Sequence, residues 1–70
     1  MTTREYQVSG MSCGHCEAAV TDEVGRIPGV SSVDVDAGTG RLVVRSSLPI
    51  DASVVLRAVD EAGYRAVLVA

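Results

Sequence analysis

Lysine, tryptophan and phenylalanine are absent from this 70-residue chain, and histidine occurs once. The missing rings remove the stacking platforms on which single-stranded nucleic acids are bound. Six arginines against nine acidic residues leave a formal charge of −3 and an isoelectric point near 4.8. A surface of that sign repels phosphate backbones and anionic lipids, so no nucleic-acid partner is expected. No apolar run approaches the ~18 residues that cross a bilayer, so no membrane insertion is expected either. The opening residues lead into an alternating pattern and not an apolar stretch, which predicts no secretory leader and a cytoplasmic location. Linkers, low-complexity segments and short tandem repeats are also missing. At 7.3 kDa the expectation is one domain over residues 1–70.

What is present is valine, at 13 positions, within a chain that is 47% hydrophobic. That content suits strands and a folded core. Tyr6 and Val8 alternate with Glu5 and Gln7, a strand pattern that stops at Gly10. From about Gly14 to Ile27 the period changes. Cys16, Val20, Val24 and Ile27 then fall on one face of a helix, which Pro28-Gly29 ends. Val30, Val33 and Val35 mark a second strand. Both glycines of Ala37-Gly38-Thr39-Gly40 are expected at positive φ in a hairpin loop, before Arg41–Ser46 returns with Leu42 and Val44 on one face. A second helix is expected after Leu48-Pro49, capped by the Asp51 carboxylate. Val55, Leu56, Val59 and Ala62 form its apolar face, and Gly63 ends it. Tyr64–Val69 closes the chain as a fourth strand. The order predicts an α+β fold, a ferredoxin-like βαββαβ sandwich with both helices on one face of a four-stranded antiparallel sheet. Val43, Val67 and Val69 are then expected on or near the open face.

The only cysteines, Cys13 and Cys16, stand where the first loop turns into the first helix. Unpaired N–H groups and the helix dipole favour thiolate over thiol there. Two such thiolates make a soft site that suits Cu(I) or fills half a tetrahedral Zn(II) shell. Zn(II) wants four ligands and Cu(I) accepts two sulfurs, so the ligand count favours Cu(I). A structural disulfide would close too short a loop to stabilise much. Inert buried thiols fit poorly with Gly14 and His15 between them. Thiol–disulfide exchange is the sharper competitor, because Cys-Gly-His-Cys is also the tetrapeptide of protein disulfide isomerases. Such a domain needs about 100 residues and usually a tryptophan before the motif, where this chain has Met11-Ser12.

Gly10-Met11-Ser12-Cys13-Gly14-His15-Cys16, then Val20, Pro28-Gly29-Val30 and Ala62-Gly63-Tyr64, resembles the heavy-metal-associated domain family across essentially the whole chain. Within that family the likeness is to small bacterial cytosolic copper chaperones. The resemblance implies the ferredoxin-like fold and Cu(I) held by Cys13 and Cys16. It also implies Met11 as the buried anchor of the metal loop, and Ser12 and Tyr64 beside the ligands. His15 is a candidate third ligand or a tuner of the thiols, against the plain reading of an exposed loop residue. The implied function is a non-enzymatic Cu(I) chaperone. Its partner would be the metal-binding domain of a copper P-type ATPase or a copper-responsive regulator. The chaperone would be a monomer without copper, with a copper-bridged dimer as an alternative. Other readings are the N-terminal metal-binding domain of such an ATPase, a redox module, and a carrier of mercury or zinc. Glu17, Asp22 and Glu23, with Arg26 at the end, make the outer face of the first helix acidic, either a solvated surface or a docking face.

Overall fold

Alternation along β1 (Thr2–Ser9) buries Tyr6 and Val8 and leaves Gln7 between them exposed. The computed structural model describes residues 2–11 and 14–69. After β1 come α1 (Gly14–Gly25), β2 (Val30–Asp36), β3 (Arg41–Ser46), α2 (Ala52–Glu61) and β4 (Arg65–Leu68), the expected order. The strands form one four-stranded sheet in the order β2-β3-β1-β4, with every neighbouring pair antiparallel. Tyr6, Val8, Leu42 and Val44 from the sheet join Val20 and Val24 of α1 and Val55 and Val59 of α2 in one core cluster. Both helices therefore cover the same face, and each buried valine contributes about 1.5–3 kcal/mol of hydrophobic stabilisation.

The opposite face is polar and partly apolar. Arg41 pairs with Glu5 at 3.0 Å and Arg45 with Asp34 at 2.8 Å, across neighbouring strands. These pairs are solvent-exposed and stabilise little. Val43 lies opposite Glu5 and Val67 opposite Gln7 on this face, as the pattern anticipates. The Val69 amide donates to the Glu5 carbonyl at 2.9 Å, extending the pairing of β4 by one residue.

Several boundaries depart from the sequence pattern for identifiable reasons. The helix α1 ends at Gly25 and not at Ile27, because the chain tightens into i→i−3 bonds: Ile27 N–H donates to the Val24 carbonyl at 3.1 Å. Pro28 and Gly29 then form a turn closed by Val30 N–H on the Ile27 carbonyl, with Gly29 at φ +95°. Val30 and Val33 are an odd number of residues apart, yet both pack against the core. A bulge between Val30 and Ser32 reconciles them, with Ser31 Oγ donating to the Arg45 carbonyl. In the hairpin only Gly40 has positive φ; Gly38 does not. The Asp36 carboxylate accepts the Gly38 N–H at 2.9 Å and closes the turn there instead. Asp51 occupies the N-cap position of α2, but its side chain makes no capping bond. Tyr64 lies in the connection between α2 and β4 and not in β4 itself. Its N–H donates to the Val59 carbonyl and Gly63 N–H to the Asp60 carbonyl, a Schellman closure with Gly63 at φ +93°.

Antiparallel pairing sorts the connections between the two ends of the sheet. Gln7 lies opposite Arg41 and Ser9 opposite Arg65. The exit from β1, the β2–β3 hairpin and the α2–β4 connection therefore share one end. Thr2 lies opposite Ser46 and Tyr6 opposite Leu68, so the chain enters β1 and leaves β4 from the far end.

Tyr6 carries a cost inside this core. Its side chain is fully buried, and its hydroxyl has no hydrogen-bond partner among the described residues. Burial pushes the phenol above its ordinary range, and Arg4 offsets this in part. Tyr6→Phe is expected to stabilise the fold by about 1 kcal/mol by removing an unsatisfied hydroxyl. The phenol ionises more readily in the unfolded chain, so stability falls as pH rises above its ordinary range of about 10. The variant should lose part of that alkaline decline. Urea unfolding of both proteins at neutral pH and at pH 10.5 measures both effects; a less stable Phe variant would show that the hydroxyl is satisfied in solution.

Candidate metal centre

The site begins where β1 ends. Gly10 has φ +90°, which favours glycine, and a Cβ there would stand 3.5 Å from Cδ1 of Tyr64. The backbone of β1's exit and the Tyr64 ring thus lie close together. The Schellman closure of α2 delivers Tyr64 to this position. Met11 follows, half-buried and packed against the core cluster. Ser12 and Cys13 lie outside the described residues.

Cys16 sits in the first turn of α1 with only 6% of its surface exposed. It heads the face that continues through Val20 and Val24 into the core, so the periodicity that builds the helix also fixes the direction of this thiol. This turn lies at the positive end of the helix dipole, a setting that in general favours the thiolate form that binds soft metal ions. His15 is exposed, on a different side of the turn. Among the described residues no three histidine, cysteine or carboxylate groups gather as a metal cluster.

The sequence places Glu17 on an acidic outer face, and the structure adds a contact that spacing does not show. Glu17 Oε2 accepts the Ala37 N–H at 2.7 Å, 20 residues along the chain, in partly buried surroundings. Only the three-dimensional proximity of α1 to the hairpin produces this contact. Of the other acids of the helix, Asp22 is exposed and Glu23 is half-buried. Asp22 pairs with Arg26 at 3.1 Å in an exposed i,i+4 arrangement. An open groove of about 580 Å³ between α1 and β2 is lined by Glu17, Asp22 and Asp34 over Val33 and Val35.

Comparison with known proteins agrees with this arrangement. The model of the heavy-metal-associated domain matches residues 5–65. The copper chaperone CopZ of Enterococcus hirae is 39% identical over 64 residues, spanning 90% of this chain and 93% of its own. The solved structure of a CopZ metallochaperone has a TM-score of 0.88 at 34% identity, covering 94% of this chain and all of its own. The N-terminal domain of PacS from Synechocystis has a TM-score of 0.88 at 28% identity, with both chains fully covered. A family match over nearly the whole length, on a ferredoxin-like fold with a cysteine at the start of α1, leads to one conclusion: the chain belongs to the heavy-metal-associated domain family.

Proposed function

We propose that this chain is a copper chaperone, a single heavy-metal-associated domain that carries Cu(I) on Cys13 and Cys16 and catalyses no reaction. The observation that carries this reading is the position of Cys16, nearly buried in the first turn of α1, in a chain so similar to a copper chaperone. A thiolate pair with Cys16 nearly buried suits an ion that accepts two soft ligands and must be shielded from water and oxidants. Release then proceeds by exchange. A thiolate of the acceptor adds to copper, a three-sulfur intermediate forms, and one of the original thiolates leaves and takes up a proton. Copper stays in the +1 state throughout. An acceptor with its own cysteine pair, such as the metal-binding domain of a copper P-type ATPase, fits this chemistry. A reducing compartment such as the cytoplasm keeps both thiols available.

The test is a Cu(I) titration of the reduced protein against a chromophoric chelator, with Zn(II) run in parallel. Tight Cu(I) binding that far exceeds Zn(II) binding is expected. Equal affinity for the two ions would overturn the copper reading. Exposed His15 has a supporting part at most: His15→Ala is expected to weaken Cu(I) binding by no more than about tenfold, the scale of a group that tunes a ligand. A loss as deep as that from removing a cysteine would make His15 a ligand.

A second reading is a metal-binding domain within a copper ATPase, supported by the likeness to the N-terminal domain of a potential copper-translocating P-type ATPase from Bacillus subtilis, with a TM-score of 0.84 at 25% identity. The mass of the natural protein in its own cell extract separates the two. A 7.3 kDa species supports the chaperone, and a far larger one the ATPase.

A further inference from the structure

The contact between Glu17 and Ala37 has no explanation in an ordinary solvated helix face. A carboxylate at that position could point into water at no cost, yet it reaches a backbone amide 2.7 Å away on the β2–β3 hairpin. The hairpin that receives it is itself firmly held. Gly40 N–H donates to the Asp36 carbonyl at 2.8 Å, and Val8 N–H to the Gly40 carbonyl at 2.7 Å. Gln7 Nε2 donates to the Thr39 carbonyl at 2.7 Å. The hairpin is thus tied to β1, the strand that leads directly into the cysteine motif.

We infer that Glu17 is a positioning residue for Cys16, clamping the first turn of α1 onto the β2–β3 hairpin so that the second thiolate is held in place for Cu(I). This rests on the Cu(I)-carrier reading above. Described residues on either side of the motif are thus tied to the same hairpin: Val8 before it through Gly40, and Glu17 after it through Ala37. The first turn of a helix has unpaired amides and frays readily, so without a tether its ordering is a cost charged against metal binding.

Three proteins test this: the unaltered chain, Glu17→Ala and Glu17→Gln. Glutamine keeps an oxygen that can accept the Ala37 amide and removes the charge. Amide hydrogen exchange at Ala37 reads the clamp, and Cu(I) competition titration, well below the melting temperature of each protein, reads its effect. The Ala37 amide should be protected in the unaltered chain and in Glu17→Gln, and should exchange at least tenfold faster in Glu17→Ala. Cu(I) affinity should fall about tenfold in Glu17→Ala and stay within about threefold in Glu17→Gln. An unprotected Ala37 amide in the unaltered chain overturns the inference. So does an unchanged Cu(I) affinity in Glu17→Ala. A glutamine variant as weak as the alanine variant assigns the effect to charge and overturns it as well. Failure of the unaltered chain to bind Cu(I) tightly refutes the carrier reading and this inference with it, whereas tight binding matched by Glu17→Ala refutes this inference alone.

Discussion

Cys16→Ser should lose Cu(I) affinity by about a thousandfold or more, roughly 4 kcal/mol, while keeping the fold. Serine offers a hard, protonated oxygen where a soft thiolate stood, and a site of two ligands has no reserve when one goes. Cys13→Ser should fall to a similar level, and the double variant should bind no tighter than either. The fold is expected to pay modestly at Cys16, because that side chain is only 6% exposed. Burying a hydroxyl there costs about 1–3 kcal/mol. Chelator competition gives the affinity, and circular dichroism with a thermal melt gives the fold. An affinity within tenfold of the unaltered protein, in a folded variant, would refute the cysteine pair as the copper site.

Gly40→Ala is expected to be strongly destabilising. Gly40 has φ +76°, a conformation that costs a residue with a Cβ about 1–2 kcal/mol. The added Cβ would also overlap the Gln7 side chain and stand 2.6 Å from the Val8 carbonyl oxygen. Gln7 can swing aside, but only by giving up its bond to Thr39, worth about 1 kcal/mol. Val8 is less free, because its amide is bound to the Gly40 carbonyl. The total comes to about 3 kcal/mol or more, comparable to the ~3–5 kcal/mol a core of this size supplies. At about 4–8 °C per kcal/mol, the melting temperature should drop by about 12 °C or more. Gly25→Ala is the contrast. Nothing lies within 4 Å of its Cβ position, φ is not positive, and it ends α1, so about 0.5–1 kcal/mol of stabilisation is expected. Thermal melts of the reduced apoproteins decide both; a Gly40→Ala protein melting within about 3 °C of the unaltered chain would show that the hairpin sits further from β1 than it does in this structure.

Periodicity made much of this architecture readable. Cys16, Val20 and Val24 declare one helix face, and their shared burial follows from spacing alone. The same holds for Tyr6 with Val8 and for Leu42 with Val44. What escaped was local closure chemistry and contact at a distance. Two glycines in the hairpin suggested two left-handed turns, yet an aspartate carboxylate satisfied one position and left only Gly40 in that region. Asp51 is the right residue at the right place, but the cap needs a side-chain rotamer that sequence does not encode. The spacing from Val30 to Val33 did contain a sign of the bulge, since a regular strand cannot put both on one face. At the candidate site, the motif named Cys16, His15, Met11 and Tyr64 as residues to inspect. The partnership of Glu17 with Ala37 had no local signature, because it depends on how α1 lies over the sheet.

The chain enters β1 and leaves β4 at the end of the sheet opposite the exit of β1, the hairpin and the α2–β4 connection. The end of the sheet that carries Cys16 is therefore free of backbone entry and exit, and either terminus can be lengthened without crossing it. Such a unit is modular in a mechanical sense. It can be strung to a neighbour, fused to a reporter or fixed to a solid support by either tail, with its mouth still turned outward.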